Sequence, residues 1–522
     1  MSKKAILSST LILAISSLLS RVLGVVRDHL FASRFGALHG GGIFDLDAYY
    51  AAFRIPDLLF QILIIGAVST AFVPIFSDYL HTDQKEKAWK FLDTTLTGIG
   101  LLMLIVSTIT LILSPWIIPL LVPGFSPEKI HLTTQLTQIM LLSPICFGLS
   151  SIFQGVENSA KKYTYFALAP IAYNLSIILG TLFFSANYGV YAVAIGVSIG
   201  SLFHASIQLP AIFELGYRYR PNFNFRSPDV KYFIRLAIPR IFSTGVNQFN
   251  LVINTLIAST FITGSIAAFN FAFNMQSVAL GLIGISISIV AFGIFAHQMA
   301  TGDHDGMRTT LSEKIEQIIL FTLPATLGLI ALRTEIVTTL LGAGNFTGQD
   351  ITLTANLLAI FAISLLAQNL IPLLGRYFFA QKNTRTPVKI SITGLTVDTL
   401  LSLYLGITLH YQITGVVTAF TIACYVQLFL YLLRIRSDFT TTHLLHLKKQ
   451  LQIIFASIIM LFSVLLTKAT LETMLIPGRL RSIIILVGCS IIGYLIYLFT
   501  LKLLKYPRYH QLWRIRGDRA ED

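Results

Sequence analysis

The chain has 522 residues, of which 54% are hydrophobic and 12% are charged, and its formal net charge is +14. A soluble protein carries about a quarter charged residues, so this composition excludes an ordinary soluble globular protein. Many apolar stretches of about 20 residues indicate a polytopic helical membrane protein. The basic residues lie in short loops between these stretches, which is typical of membrane topology and argues against nucleic-acid binding.

Apolar windows bounded by charged residues, glycine or proline predict an all-α fold with about fourteen transmembrane helices. In chain order the predicted helices cover residues 6–26, 46–78, 90–121, 130–157, 163–186, 189–214, 229–259, 265–298, 314–341, 351–380, 387–408, 412–434, 449–468 and 481–504. The first segment lacks a small-x-small cleavage site, so we expect a retained helix rather than a signal peptide. Lysine and arginine concentrate in alternate loops and near both termini, which places both termini in the cytoplasm.

Two parts of the chain resemble each other at an offset of about 220 residues, as in transporters with parallel repeats. "LSSIFQGVENSAKKYTYFALAP" at 149–170 resembles "LIPLLGRYFFAQKNTRTPVKIS" at 370–391, and "AAF" recurs at 51–53 and 267–269. We therefore predict two six-helix lobes related by a parallel pseudo-twofold repeat. The N-terminal lobe covers 1–220, the C-terminal lobe covers 221–440, and 441–522 adds helices 13 and 14 with a basic cytoplasmic tail.

Charged residues in the first two predicted helices are site candidates, because a charge inside a membrane span is costly. The first helix carries Arg21, Arg27 and Asp28, and the second carries Asp47 and Arg54 two turns apart on one face. In one interpretation the arginines line a cavity for an anionic ligand, since guanidinium groups match phosphate oxygens. In the other, Arg27 and Asp28 form an interfacial pair and Arg21 reaches the membrane surface.

Arg54 has the same two interpretations, because Asp57 lies three residues further on, within ion-pair reach. The pair is either self-neutralised or stands beside a hinge, since Pro56 between them removes a backbone donor and can bend the helix. Either arrangement is compatible with the spacing.

Polar residues in the second half are different in kind. Asn270 and Asn274 on helix 8 carry amides, which bind sugar hydroxyls but equally hold helices together. Arg376 lies near the cytoplasmic end of helix 10, where its side chain either binds a phosphate group or extends to the membrane surface. Asp398, deep in helix 11, is a candidate for coupling to a cation or a proton, unless neighbouring threonine hydroxyls satisfy it.

No sequence motif indicates an enzyme, since there is no P-loop, HExxH or nucleophile elbow. We therefore predict no catalytic residue and no cofactor. The three cysteines lie in apolar stretches without CxxC spacing, so neither a disulfide nor a metal site is predicted: Cys146, Cys424 and Cys489. Without a nucleotide-binding fold, transport would have to be driven by a gradient or the membrane potential.

Several stretches resemble the MurJ/MviN lipid II flippase family of the MOP exporter superfamily. They are "SRVLGVVRDHLFASRFGA", "DAYYAAFRIPDLL", "GAVSTAFVPIFSDY", "GVNQFNLVINTLIASTFITGSIAAFNFA" and "LGRYFFAQKNTRTPVKI". The likeness covers essentially the whole chain and is most specific in the first 80 residues. It implies a fourteen-helix protein of the bacterial cytoplasmic membrane that moves undecaprenyl-diphosphate-linked peptidoglycan precursor from the inner to the outer leaflet. It also implies a cationic central cavity, a lipid-tail groove at helices 13 and 14, and alternating access coupled to the membrane potential.

The resemblance also assigns residues. Arg21 and Arg27 match the arginines of two family motifs, Asp28 adjoins the second, and Asp47 and Arg54 match an acid and a base of helix 2. Two positions depart from the family pattern, because Gln61 and Asn274 stand where well-studied members have arginines. The cavity is therefore expected to be less cationic than in those members.

Two alternatives to a lipid II flippase stay open. One is an exporter of another polyprenyl-diphosphate oligosaccharide, or a MATE-like pump. The other is a non-transporting scaffold that organises cell-wall synthesis enzymes. Convergence of Arg21, Arg27 and Arg54 on one hydrated cavity would favour transport. The expected partners are lipid II or a similar glycolipid, membrane lipids and, for a scaffold, peptidoglycan synthesis enzymes. We expect a monomer that binds no nucleic acid.

Overall fold

The computed structural model is almost entirely helical and has no strand in the residues that it describes, which are 3–38, 40–65, 68–436 and 447–507. Side chains are described for these residues except 3–14, 65, 69–70, 239–247 and 447. The predicted basic tail beyond residue 507 lies outside the described residues. Helices dominate because lipid offers no hydrogen-bond partners to the backbone, and a helix satisfies its backbone groups within one segment. The predicted all-α membrane fold is confirmed.

The chain divides into two compact units, of which the first comprises residues 1–267 and 343–347. Its helices are α1 Lys3–Phe35, α2 Leu46–Phe60, α3 Val73–His81, α4 Lys85–Leu121, α5 Pro127–Met140, α6 Leu142–Ser159, α7 Tyr163–Tyr188, α8 Val190–Ser206, α9 Leu209–Glu214 and α10 Pro228–Ala258. One core of this unit is aromatic, with the rings of Phe72, Phe76 and Phe91 stacked at 5.2 to 5.5 Å.

The second unit comprises residues 268–342 and 348–522. Its helices are α11 Ser265–Leu280, which begins in the first unit, α12 Ser286–Ala300, α13 His304–Ala331, α14 Arg333–Leu341, α15 Gly348–Ala380, α16 Arg385–Leu401, α17 Gln412–Ile435, α18 Leu447–Met474 and α19 Arg479–Leu503. Helix α18 packs against α13, and α19 packs against α14 and α18. The predicted lobes and their six-helix repeat stay a prediction.

Eleven helices of the described residues are long and apolar enough to cross a membrane by length and composition. Three of them combine neighbouring helices: α5 with α6, α8 with α9, and α11 with α12. The predicted span 6–26 lies within α1, which continues nine residues further to Phe35, and the other two predicted spans match the composite segment from α2 to α3 and α10. Each predicted membrane segment is therefore helical where the structure describes it.

Helix ends follow local sequence rules. Asp45, Ser126, Ser227 and Asp303 precede α2, α5, α10 and α13, and each side chain accepts a hydrogen bond from a backbone amide of the first turn. These residue types are preferred at this position because they satisfy otherwise unpaired amides. Pro127 and Pro228 follow two of the caps, at a position where a helix needs no amide donor. The caps fix where α2, α5 and α10 begin.

Several helical segments contain wider π-turns: 61–65, 68–72, 281–285 and 402–408. Such turns are common at functional sites and bend the helix. The turn at 281–285 has a clear cause, because the Asn369 Oδ1 atom accepts a hydrogen bond from the Gly284 amide at 3.1 Å. A Cβ atom at Gly284 would lie 2.3 Å from that oxygen, so the close approach requires glycine.

Candidate substrate-binding site

Arg27 on α1 is the best-defined cation of the candidate site. Its Nη2 and Nε atoms donate to Asp28 Oδ1 at 2.9 and 3.1 Å, and Nη1 donates to Asn174 Oδ1 on α7 at 3.4 Å. The guanidinium carbon also lies 5.7 Å from the ring centre of Phe31. Its side chain stays 23% exposed. Because arginine has five N–H donors, the remaining Nη hydrogens can reach a ligand.

Three tyrosine rings lie among the charged side chains near Arg27. Tyr50 on α2 lies within electrostatic range of Arg27, Asp28 and Arg54. Tyr173 on α7 lies within range of both Arg27 and Asp57. The third is Tyr49, whose ring centre is 5.3 Å from that of Tyr50. Helices α1, α2 and α7 therefore gather two arginines and two carboxylates around tyrosine rings.

Arg54 and Gln61 occupy the α2 side of this cluster. The Arg54 Nε atom donates to Thr255 Oγ1 on α10 at 3.1 Å. Gln61 Nε2 donates to Asp57 Oδ1 at 3.3 Å, at the start of the first π-turn. The amide at this position thus contacts the cluster but brings no positive charge to it.

The structure brings the candidates Arg27, Asp28, Arg54 and Gln61 together. Arg21 lies on the same helix about 1.7 turns before Arg27 and is half-buried. Asn174 was missed by sequence reasoning, because a lone amide in an apolar helix gives no signal of its partner. It also donates from Nδ2 to Ser20 on α1 at 3.3 Å, which joins α7 to α1.

Asp47 belongs to a separate buried network at the beginning of α2. Its two carboxylate oxygens accept hydrogen bonds from the backbone amides of Gly264 at 2.6 Å and Ala267 at 2.8 Å. The Lys129 Nζ atom lies 3.4 Å from Asp47 Oδ2 and 2.8 Å from Asp45 Oδ2. The network therefore joins the first turns of α2, α5 and α11. Lys129 and Asp45 were not predicted as network members, although the Ser126–Pro127 cap places Lys129 in the first turn of α5.

Gly264 shows how closely the backbone packs around this network. Its φ angle is +90°, and a Cβ atom there would lie 2.5 Å from the carbonyl oxygen of Ala37. Such a backbone conformation strongly favours glycine. The amide that donates to Asp47 is thus held by a conformation that a side chain would disrupt.

The amide candidates of the second unit lie on α11. Asn270 is buried and Asn274 is half-buried. One reciprocal amide pair lies further along α11, where Gln368 Nε2 donates to Gln276 Oε1 at 3.0 Å and Gln276 Nε2 donates to Gln368 Oε1 at 3.4 Å. At least these glutamines hold helices together, as such amides commonly do.

Arg376 and Asp398 lie elsewhere in the second unit. Arg376 Nη1 donates to the carbonyl oxygen of Ile285 at 3.4 Å, beside a π-turn. Asp398 is buried, and Ser402 Oγ donates to it at 3.4 Å. The Thr396 hydroxyl donates to the Ile392 carbonyl instead, so it does not serve this carboxylate.

An apolar groove of about 410 Å³ lies among α11, α13, α14, α18 and α19. Its lining includes Leu320, Pro324, Gly328, Val464 and Tyr494. Two ion pairs join helices that line this groove: Lys468 to Glu335 at 2.8 Å and Lys449 to Glu316 at 3.1 Å. Because the partly buried lysines meet buried carboxylates, they fix α18 against α13 and α14.

The chain is similar to known proteins over most of its length. The sequence model of the family described as lipid II flippase MurJ matches residues 35–486. A probable lipid II flippase MurJ of Rickettsia prowazekii is 30% identical over 511 residues, which is 96% of this chain and 98% of that protein.

Solved structures agree with the sequence match. A lipid II flippase MurJ in an inward closed conformation aligns with a TM-score of 0.80 at 27% identity, over 97% of this chain and 100% of that one. An inward-facing multidrug resistance MATE transporter of the MOP superfamily shares the fold, with a TM-score of 0.64 at 13% identity over 81% of this chain and 96% of that one. The chain belongs to the lipid II flippase MurJ family.

Proposed function

We propose that this protein is a lipid II flippase, which moves undecaprenyl-diphosphate-linked peptidoglycan precursor from the inner to the outer leaflet. The observation that carries the proposal is the likeness over nearly the whole chain to proteins named lipid II flippases. The protein works by alternating access, driven by the membrane potential or an ion gradient. It acts as a non-enzymatic monomer in the cytoplasmic membrane, with both termini in the cytoplasm.

The diphosphate is held by Arg27 and Arg54, with Arg21 contributing from the preceding turns of α1. Asp28 and Asn174 orient the Arg27 guanidinium through three hydrogen bonds, which leaves its other N–H groups for phosphate oxygens. A planar guanidinium can bind two phosphate oxygens at once, which gives both charge and geometry.

The second unit, taken by itself, carries groups whose chemistry suits a glycolipid. Asn270 and Asn274 supply amides for sugar hydroxyls or the peptide. The groove at α18 and α19 is apolar and suits an isoprenoid chain. Asp398 is the candidate for ion coupling, because it is a buried carboxylate within a membrane-spanning helix, where ionisable residues commonly serve transport.

Gln61 and Asn274 are neutral at positions where the resemblance implies arginines, and this favours one second candidate, an exporter of a related polyprenyl-diphosphate oligosaccharide. Such a substrate needs the same diphosphate clamp but a different fit for its sugars. A scaffold without transport needs no clamp, so the Arg27 cluster argues against it.

Complementation of a flippase-depleted strain, combined with an assay of lipid II in each leaflet, tests the proposal. We expect the wild-type chain to restore growth and lipid II movement, and Arg27→Ala and Arg54→Ala to abolish both at normal membrane levels. Arg308→Ala is the matched control, because Arg308 pairs with the exposed Asp305 outside the cluster. Full activity of Arg27→Ala would overturn the clamp. Normal insertion of the wild-type chain without lipid II movement would overturn the function.

A further inference from the structure

The segment 217–224, "YRYRPNFN", joins α9 to α10 and alternates in character along its length. Tyr217, Tyr219, Pro221 and Phe223 line a groove, whereas the intervening Arg218 and Arg220 are exposed and are not part of its lining. Alternation is expected for an extended backbone, because successive side chains point to opposite sides. The segment therefore has an aromatic side and a basic side.

The aromatic side closes a groove of about 540 Å³, within the size range of small-molecule sites. The other walls come from α4, α6 and α9 and include Thr97, Gly100, Leu149 and Leu209. Phe213 and Phe223 are 61% and 64% exposed, so the groove is open at its rim. An open apolar groove of this kind on a membrane protein suits a hydrocarbon chain.

The segment is held in place by hydrogen bonds to α4. Asp93 Oδ1 accepts from the Tyr217 hydroxyl at 2.6 Å and from the Arg220 amide at 3.0 Å. The Thr97 hydroxyl lies 2.8 Å from the Tyr219 hydroxyl and accepts from the Asn222 amide at 3.3 Å. The groove is thus built by specific contacts and is not a casual gap beside a loop.

The basic side supplies charge next to the groove. Arg218, Arg220 and Arg226 are exposed, and none has an ion pair among the residues that the structure describes. The nearby Glu214 carboxylate is already paired with Lys162 at 2.8 Å. On the predicted topology this segment faces the cytoplasmic leaflet, whose anionic lipids attract such clusters.

We propose that this groove binds one anionic phospholipid of the cytoplasmic leaflet. An acyl chain lies between α4, α6 and the aromatic side of 217–223, and the headgroup phosphate lies at the arginines. The site lies within the first unit and is separate from the groove at α18 and α19.

Native mass spectrometry of the detergent-purified full chain tests the site, with phosphatidylglycerol and phosphatidylcholine of identical acyl chains as probes. We expect the wild type to retain one phosphatidylglycerol with about a tenfold preference over phosphatidylcholine. The triple variant R218Q/R220Q/R226Q should lose that preference. The variant K382Q/R385Q/K389Q is the matched control, since it removes three exposed basic residues from another predicted cytoplasmic loop.

Filling the groove tests the acyl-chain half separately. Gly100→Leu projects into the groove, where a Cβ atom has ordinary contact with Leu149 at 3.5 Å, and should remove the retained lipid. Leu209→Phe is a second way to fill it if the first variant inserts poorly. Equal retention of both lipids by the wild type, or unchanged retention by the arginine triple variant or a folded groove variant, would overturn the proposal. Either result leaves the flippase proposal intact, because lipid II movement is measured independently.

Discussion

The buried network around Lys129 makes a prediction that the distances allow us to work out. Replacing Lys129 by Met keeps most of the side-chain volume but removes the cation between Asp45 and Asp47. At an effective dielectric constant of about 20, the separations of 2.8 and 3.4 Å correspond to gross attractions of about 6 and about 5 kcal/mol. Desolvation offsets most of this attraction, so the net value is much smaller.

Breaking a buried pair by removing one partner costs about 3–5 kcal/mol, because the other charge stays buried. We therefore expect Lys129→Met to lower the free energy of unfolding by about that amount. Asp47→Asn should cost about 3 kcal/mol, since a single amide oxygen cannot accept from both Gly264 and Ala267 while facing Lys129. The double variant should cost less than the sum, with a coupling energy of about 1–3 kcal/mol.

Asp45→Asn removes the other carboxylate that pairs with Lys129, so it separates the two ion pairs of the network. Asn is also a good helix cap, so this variant keeps the hydrogen bond from the Ala48 amide and loses only charge. The measurement is reversible denaturant unfolding of the purified protein in detergent. A Lys129→Met protein within about 0.5 kcal/mol of the wild type, or an additive double variant, would refute the reasoning.

Three further predictions use the same unfolding measurement. Glu157 is 0% exposed, and neither of its carboxyl oxygens has a hydrogen-bond partner among the described residues. Glu157→Leu should therefore raise the free energy of unfolding by about 1–3 kcal/mol, whereas Glu157→Gln should change it little. A lower free energy of unfolding for Glu157→Leu would contradict this. Gly264→Ala should lower the free energy of unfolding by about 1–3 kcal/mol, because the added Cβ atom strains the backbone. Gly328→Ala is the control, since a Cβ atom there would have no atom within 4 Å. Lys468→Met should cost about 3 kcal/mol by leaving Glu335 unpaired, and adding Glu335→Leu should restore most of the loss.

The helices were predictable because the membrane leaves the backbone few alternatives, so length and hydropathy are sufficient. Local caps were equally accessible, as the Ser–Pro pairs before α5 and α10 illustrate. The π-turns were not, because hydropathy does not distinguish hydrogen bonds four residues apart from those five apart. The turn at 281–285 depends on Asn369, about 85 positions further along the chain, and no local pattern predicts that contact.

The partners of charged residues were harder to predict than their positions. Helical spacing assigned Asp47 and Arg54 one direction, but their contacts differ, since Asp47 meets amides more than 200 positions away. In the sequence, Lys129 lies just before the predicted helix 130–157, and nothing there indicates that it pairs with a carboxylate. Long-range packing decides which carboxylate a cation meets, and the periodicity of one helix contains no information about it.

Burial separates two kinds of polar group in the first unit. Lys129 faces two carboxylates and is largely enclosed, so its bonding capacity is used for structure. Arg27 is held by Asp28 and Asn174, but its side chain stays 23% exposed and two of its five N–H groups are not used by these bonds. Gln61 is already bonded to Asp57 and has no charge to offer a phosphate. A diphosphate bound at this cluster would therefore depend on Arg27 and Arg54. Restoring charge through Gln61→Arg should then partly rescue an Arg54→Ala variant in the leaflet assay, whereas no rescue would place the diphosphate elsewhere.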